Sequence, residues 1–360
     1  MKYRVNMKSA AASVQGQGVG SAYEEQVALA RSLPDFEVSV NRHVRADITH
    51  YHTVNFSYFL SIPFAKACGT TVGYVHFLPE TMEQSLKLPK IAKKVFYKYL
   101  LTFYRQMDAL VTVNPYFIGR LAANGIDPSK VTYIPNFVDD KTFYPVAPEE
   151  KRALRKEWGL DPDRFTVLCA GQLQTRKGVF DFFELARRRP EMQFVWAGGF
   201  SFGKITDGYE DIKKVVENPP PNLHFTGIVE RSRMNGVYNL ADVMFLPSYE
   251  ELFPMTILEA MNCRLPLLLR DIPIYENILF DYYLRETDND GFERALVRLR
   301  DDADYRARAQ ADSWRGHEFY NREHVRSMWN EFYAGRLVAR AAKKAARETS
   351  KPRKPRQKEA

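Results

Sequence analysis

In the segment 247–261, reading Pro247-Ser248-Tyr249-Glu250-Glu251-Leu252-Phe253-Pro254-Met255-Thr256-Ile257-Leu258-Glu259-Ala260-Met261, seven residues separate the carboxylates Glu251 and Glu259. Glu251 falls in a loop after an apolar run, and Glu259 falls inside a helical pattern whose first turn suits Pro254. Carboxylates placed this way accept hydrogen bonds from several hydroxyls, which a sugar and a ribose present. Between them the helix start, with the amides of Met255 and Thr256, offers N–H groups to a phosphate. A second constellation is Gly171-Gln172-Leu173-Gln174-Thr175-Arg176-Lys177-Gly178. Its adjacent cations, Arg176 and Lys177, suit a diphosphate that must be neutralised as it leaves. A third is Gly16-Gln17-Gly18-Val19-Gly20-Ser21, followed by a helical pattern from Ala22. There the backbone at Gly18 can approach a phosphate, although the spacing is not that of a dinucleotide fingerprint and a plain turn fits equally well.

These loops need strands to hold them. Short apolar runs at 3–7, 36–40, 48–52, 71–77, 109–113 and 131–134 alternate with helical patterns, which predicts a parallel sheet with helical crossovers. After a polar, proline-bearing joint at 145–150 the same grammar restarts, with strands expected at 165–170, 193–196, 223–226, 243–246 and 266–269. The expected fold is α/β: two doubly wound domains facing each other across a cleft. Ligands in such sheets lie beyond the carboxyl ends of the strands, which is where the three constellations fall. The expected division is a first domain over 1–147, a second over 148–316, a helix over 317–340 crossing back to the first, and a basic, unstructured tail over 341–360. The last long helical stretch, 303–338, is expected to break near Gly316.

The 247–261 segment resembles the E-x7-E motif of the family 4 glycosyltransferases of the GT-B fold, with Glu251 and Glu259 as its two acids. Three further pieces match in order. Residues 171–178 resemble the family's donor-diphosphate loop; Tyr133-Ile134-Pro135-Asn136-Phe137-Val138-Asp139 with Phe143 resembles its signature before the interdomain joint; Gly227-Ile228-Val229 with 238–242 resembles its base-binding stretch. The resemblance implies a metal-independent, retaining transfer by front-face displacement. Lys177 would hold the donor diphosphate, Glu259 the ribose hydroxyls, Ile228 the base, and Glu251 the transferred hexose near the developing positive charge. His76, in Tyr74-Val75-His76-Phe77, matches the family's histidine near the sugar, and a structural core histidine is its other reading. Two departures stand out. Gln172 replaces the usual Arg, so Arg176 is expected to compensate, and Pro254 replaces a frequent Gly, removing one backbone donor.

Residues 87–105 hold Lys87, Lys90, Lys93, Lys94, Lys98 and Arg105 and no acid. At 100° per residue Leu88, Ile91, Val95, Phe96, Tyr99 and Phe103 gather on one arc and Lys87, Lys90, Lys94 and Lys98 opposite. That pattern fits binding to an anionic lipid surface, and also a core-facing helix with a solvated basic back. Residues 336–360 carry ten Lys and Arg against Glu348 and Glu359, an excess of +8 equal to the net charge of the whole chain. The basic character therefore belongs to the end of the chain, which is either a solubility extension or an arm for an anionic surface. Within the family, a basic aromatic helix in the first domain and the Phe253-Pro254 variant look most like the bacterial glycosyl-diacylglycerol synthases.

At 360 residues and 45% apolar content the chain has material for two hydrophobic cores. Cys68, Cys169 and Cys263 are too scattered for a disulfide framework or a zinc cluster, which fits a reducing cytosol. No run of about 20 apolar residues suggests a membrane span, so the expected location is cytoplasmic and peripheral, on the inner face of the membrane. Asp288-Asn289-Asp290 has the letters of a metal-binding motif but reads as a turn, and neither metal nor cofactor is expected. The expected reaction moves glucose or galactose from a UDP-sugar to diacylglycerol or monoglucosyl-diacylglycerol, for glycolipid or lipoteichoic acid anchors. Two alternatives remain: a transferase acting on a polyprenyl-linked sugar or surface polysaccharide, and a non-catalytic module tethered to membrane or nucleic acid. No nucleic-acid motif accompanies the charge, and the residues leave the oligomeric state open.

Overall fold

The computed structural model describes residues 2–10, 18–76, 78, 89–200, 203, 206–251 and 253–349. The first half contains β1 (Tyr3–Lys8), α1 (Gly18–Arg31), β2 (Phe36–Val40), β3 (Ile48–Tyr51), α2 (Phe56–Cys68), β4 (Thr70–Val75), α3 (Lys90–Arg105), β5 (Ala109–Thr112), α4 (Tyr116–Ala123) and β6 (Val131–Tyr133). The second contains α5 (Pro148–Glu157), β7 (Thr166–Ala170), α6 (Val179–Arg188), β8 (Gln193–Ala197), α7 (Tyr209–Glu217), β9 (Leu223–Gly227), α8 (Arg231–Asn239), β10 (Val243–Leu246), α9 (Met255–Asn262), β11 (Leu267–Arg270), β12 (Leu284–Glu286), α10 (Asn289–Asp301), α11 (Ala303–Phe319) and α12 (Arg322–Thr349).

The strands form two six-stranded sheets in the orders β2-β1-β3-β4-β5-β6 and β12-β11-β10-β7-β8-β9. All pairings between them are parallel, for example Val5 with Val38 and Ile48, or Met244 with Leu168 and Leu267. Helices cover both faces, so β4, β5, β7, β8, β10 and β11 are buried along their whole length. Each sheet reverses its winding once, between β1 and β3 and between β7 and β10. A doubly wound sheet opens a crevice at that point. The loops after β7 and β10 are the ones carrying 171–178 and 247–254.

The eleven expected strands are present, displaced by a residue or two at their ends. β12 had no apolar run to announce it: it is a three-residue edge strand, half-exposed. Pro254 stands just before α9, as its N-cap residue, rather than inside the first turn. Asp288 also caps a helix, accepting from the Gly291 amide at 2.8 Å, so the Asp288-Asn289-Asp290 turn is the start of α10.

The C-terminal helices differ most from expectation. Gly316 does not break the stretch: it lies within α11, where a Cβ would come 2.6 Å from Met261 Cε, so its bare backbone lets α11 press on α9. The break falls at Tyr320–Asn321, because the Asn321 side chain accepts from the His324 amide at 2.9 Å and caps α12. α12 then continues to Thr349, past position 341 where an unstructured tail is expected. The run Ala341-Ala342-Lys343-Lys344-Ala345-Ala346-Arg347 consists of strong helix formers, and their propensity outweighs their like charges. α12 lies on the first sheet: Arg326 Nη2 donates to the Ser32 carbonyl at 3.1 Å, and Tyr333 OH meets His50 Nδ1 at 2.9 Å.

Candidate active site

The loops after β7 and β10 are laced together. The Tyr249 amide donates to the Arg176 carbonyl at 2.8 Å, and Arg176 Nη1 donates to the Glu250 carbonyl at 3.1 Å. Gly178 ends the first loop at φ 73°, and a Cβ there would stand 2.5 Å from the Pro247 carbonyl oxygen. Only glycine permits both the conformation and the approach. Lys177 is thereby turned inward, and its ammonium donates to Glu251 Oε1, with side chains 11% and 5% exposed respectively. Burial pulls the Lys177 pKa down, and the Glu251 carboxylate opposes that pull. A buried pair of this kind presents one cation and one hydrogen-bond acceptor to whatever enters.

Glu259 has a different set of partners. Tyr238 OH donates to its Oε2 at 2.6 Å and Arg231 Nη1 to its Oε1 at 2.9 Å. The two acids of the E-x7-E segment thus lie at separate stations, one with a lysine and one with an arginine and a tyrosine. At the start of α9, Met255 is buried and Thr256 Oγ1 is buried with no hydrogen-bond partner among the described residues. Gln174 Oε1 and Ser248 Oγ are likewise buried and unpartnered. Such atoms cost free energy unless a polar ligand or water meets them. Ile228, just beyond β9, is 56% exposed, an apolar surface open to a flat ring. Gln172 is half-buried on the β7 loop.

The first sheet supplies the opposite wall. Gly18 begins α1, and residues 11–17, which include Gly16 and Gln17, lie outside the described residues. His76 follows β4, buried and stacked on Tyr74 with ring centroids 4.2 Å apart, its Nε2 without a partner among the described residues. Burial holds its pKa down to about 3, so near neutrality it is a neutral imidazole able to share a hydrogen bond but not to carry charge. Between the sheets lies a cavity of about 170 Å3, walled by Leu78, Tyr116 and Phe117 on one side and Glu251, Ile272 and Ile274 on the other. A buried bond crosses between the halves at Ile274, one of the cavity's lining residues, from Asn114 Nδ2 to the Ile274 carbonyl at 2.9 Å.

The helix expected to meet lipid needs correction. In α3 the buried stripe is Leu100, Phe103 and Tyr104, with Phe96 and Tyr99 half-buried. Phe103 is 1% exposed and packs on Tyr51 and Phe59, so it is a core residue. Ile91 and Val95, 80% and 65% exposed, turn outward beside exposed Lys94 and Lys98. Lys87 and the side chain of Lys90 lie outside the described residues. A wheel projection shows an apolar arc but not which part of it meets the sheet. The sequence reading passed over α2, whose Phe56, Leu60 and Phe64 are each more than half exposed. Their spacing of four residues in a helix without acids was the available signal. Phe59 packs on Tyr99 with centroids 5.5 Å apart, so α2 and α3, each carrying exposed apolar side chains, lie side by side. Among the described residues no helix is long and apolar enough to cross a membrane.

Arg231 and Glu25 also escaped the sequence reading, since neither belongs to a recognisable spacing; only the fold brings them to Glu259.

A model of the glycosyl transferases group 1 matches residues 150–312, and one of glycosyltransferase family 4 matches 28–142. The chain is 46% identical over 338 residues to the alpha-galactosylglucosyldiacylglycerol synthase of Streptococcus pneumoniae, covering 92% of this chain and 89% of that protein. The chain is a glycosyltransferase of this family. It is also 28% identical over 284 residues to the processive diacylglycerol alpha-glucosyltransferase of Acholeplasma laidlawii, covering 78% of this chain and 83% of that one. Among solved structures it is similar to Anabaena HepE in complex with UDP and glucose, with a TM-score of 0.73 at 14% identity over 92% of this chain and 99% of that one. Sucrose-phosphate synthase of Thermosynechococcus elongatus gives 0.74 at 17% identity over 94% and 100%. These likenesses establish the GT-B fold for this glycosyltransferase.

Proposed function

We propose that this glycosyltransferase moves a hexose from a UDP-sugar, with retention, onto a glycerolipid at an anionic membrane surface. The buried Lys177–Glu251 pair at the floor of the cleft carries the reading. A donor diphosphate offers Lys177 a more highly charged partner than Glu251 alone, and Glu251 then accepts from hydroxyls of the transferred hexose. The C1–O bond to the phosphate breaks with its electron pair leaving on UDP. The acceptor hydroxyl forms the new bond to C1 from the same face, and its proton passes to the departing phosphate oxygen. Glu259 and Ile228 suit the ribose and the base, and the amides of Met255 and Thr256, with Gly18 opposite, suit the phosphates. None of these roles requires a divalent metal.

For the acceptor, the likeness to the pneumococcal synthase over 92% of this chain supports galactose transfer to glucosyl-diacylglycerol. The weaker likeness to the diacylglycerol glucosyltransferase supports glucose transfer to diacylglycerol as a second reading. A polyprenyl-linked acceptor has less behind it: the UDP-Gal:alpha-D-GlcNAc-diphosphoundecaprenol galactosyltransferase of Escherichia coli matches only 49% of this chain. Family membership sets the non-catalytic tether aside. The apolar face of α2 and α3, with Lys94 and Lys98, supports peripheral binding to the cytoplasmic leaflet.

The test is transfer from labelled UDP-galactose and UDP-glucose to glucosyl-diacylglycerol and diacylglycerol in anionic vesicles containing EDTA. Label in galactosylglucosyl-diacylglycerol is the expected result. UDP binding without label in any glycerolipid would send the search to polyprenyl-linked acceptors.

A further inference from the structure

Arg231 divides its guanidinium between the two halves of the molecule. Nη1 donates to Glu259 Oε1 on α9 and Nη2 to Glu25 Oε1 on α1, each at 2.9 Å. The guanidinium lies 5.2 Å from the centre of the Phe143 ring, and Phe143 stands edge-on to Tyr238 with centroids 5.6 Å apart. Tyr238 in turn holds the other oxygen of Glu259. The cluster is largely dry: the side chains of Glu25, Arg231 and Glu259 are 12%, 30% and 6% exposed. Burial pushes the Glu25 carboxyl up, and Arg231 pulls it back down. A planar fork can serve two carboxylates at once in fixed directions, which a lysine cannot.

Each acid belongs to an element on which the donor reading relies. Glu259 is the ribose carboxylate, and Glu25 lies two turns into α1, the helix that begins at Gly18. An ionised carboxylate has about four lone-pair positions. Arg231 and Tyr238 occupy one on each oxygen, which leaves one on each for the 2′- and 3′-hydroxyls of a ribose.

We propose that Arg231 is a positioning residue for the nucleotide donor. It holds the Glu259 carboxylate oriented toward the ribose, and through Glu25 it ties that carboxylate to α1, so that ribose recognition and the approach of the two halves are one event. Without Arg231, the buried Glu259 carboxylate loses its countercharge and one of its two side-chain donors, so its direction toward the ribose is no longer fixed. Without Glu25, Arg231 still serves Glu259, but the link to α1 is lost. The inference rests on the reading of the donor as a nucleoside-diphosphate sugar.

The experiment compares wild type, Arg231→Lys and Glu25→Gln with a UDP-sugar and with its 2′-deoxyribose counterpart, measuring KM and kcat separately and the melting temperature of each protein. For Arg231→Lys the expected result is a donor KM raised about 10- to 100-fold, the worth of a hydrogen bond to a charged group, with kcat changed much less. With the deoxyribose donor the penalty shrinks, because the hydroxyl that Glu259 receives is already missing. Glu25→Gln, a milder variant that keeps the Glu259 contact, raises the KM of both donors. Equal penalties of Arg231→Lys on the two donors, or an unchanged KM in Glu25→Gln, overturn the proposal while leaving the donor reading intact. Wild type that binds neither UDP nor a UDP-sugar overturns both.

Discussion

Lys177 and Glu251 meet at the floor of the cleft although they lie 74 positions apart in the chain. One follows β7 and the other follows β10, adjacent strands on either side of the point where the second sheet reverses its winding. Each is the other's buried countercharge, so neither can be removed without consequence for its partner.

Glu251→Gln keeps the shape and one acceptor but loses the charge. Transfer should fall by about 10²–10³, the usual effect of losing one preorganised electrostatic group, while circular dichroism remains native. Lys177→Met leaves Glu251 buried and unpaired and should cost about 3–5 kcal/mol of stability in denaturant melts. The double variant should recover much of that stability and none of the activity. Full turnover in folded Glu251→Gln would remove Glu251 from the site.

Gly178→Ala tests the loop that delivers Lys177. The added Cβ meets the Pro247 carbonyl at 2.5 Å from a backbone at φ 73°. A loss of about 1–3 kcal/mol is expected, with weaker UDP binding by calorimetry, because the strained loop cannot hold Lys177 inward. Wild-type affinity for UDP would separate the loop's shape from its function.

The apolar face of α2 and α3 is tested by vesicle sedimentation. Phe56→Ser with Leu60→Ser should reduce partitioning at least about tenfold, since full burial of each side chain is worth about 1.5–3 kcal/mol. Lys94→Glu with Lys98→Glu should weaken binding to anionic vesicles and leave neutral ones unaffected, at about 1 kcal/mol per cation. Phe103→Ala is the contrast: its effect should be on melting temperature, by about 3–5 kcal/mol of core packing. Unchanged sedimentation of the α2 variant would mean that this face does not meet lipid.

His50, His52 and His76 make the fold sensitive to acid. Burial holds His50 and His76 down to about 3 and His52 well below its usual range, and the neighbouring imidazoles add to the effect on His50 and His52. In the unfolded chain each takes up a proton near 6.5. Their folded pKa values being the lower ones, the stability they permit is complete above about 6.5 and is lost as pH falls toward 3. Each should contribute a slope of about 1.4 kcal/mol per pH unit within that window. Urea melts between pH 7.5 and 4.5 should show the decline, and His50→Phe should flatten it. A level profile in wild type would show that these imidazoles are not buried neutral in solution.

The sequence by itself determined the two sheets and the loops that matter. Parallel strands buried on both faces must be written as apolar runs, and helical crossovers must separate them, so the pattern is local. Glu251, Lys177 and Arg176 stand out as candidates for a related reason, since each lies on a loop just after a strand, and Glu259 follows in the helix after the same loop. The tertiary structure decided what no spacing encodes. It determined which part of a wide apolar arc on α3 faces the sheet, burying Phe103 and leaving Ile91 and Val95 outside, because the sheet's position is not written in the helix. It made Gly316 a point of close helix packing and moved the break to Asn321, because glycine's bare backbone serves contact as readily as interruption. And it brought Glu25, Arg231 and Glu259 together, since an ion cluster between halves of a chain exists only once both halves are folded and facing.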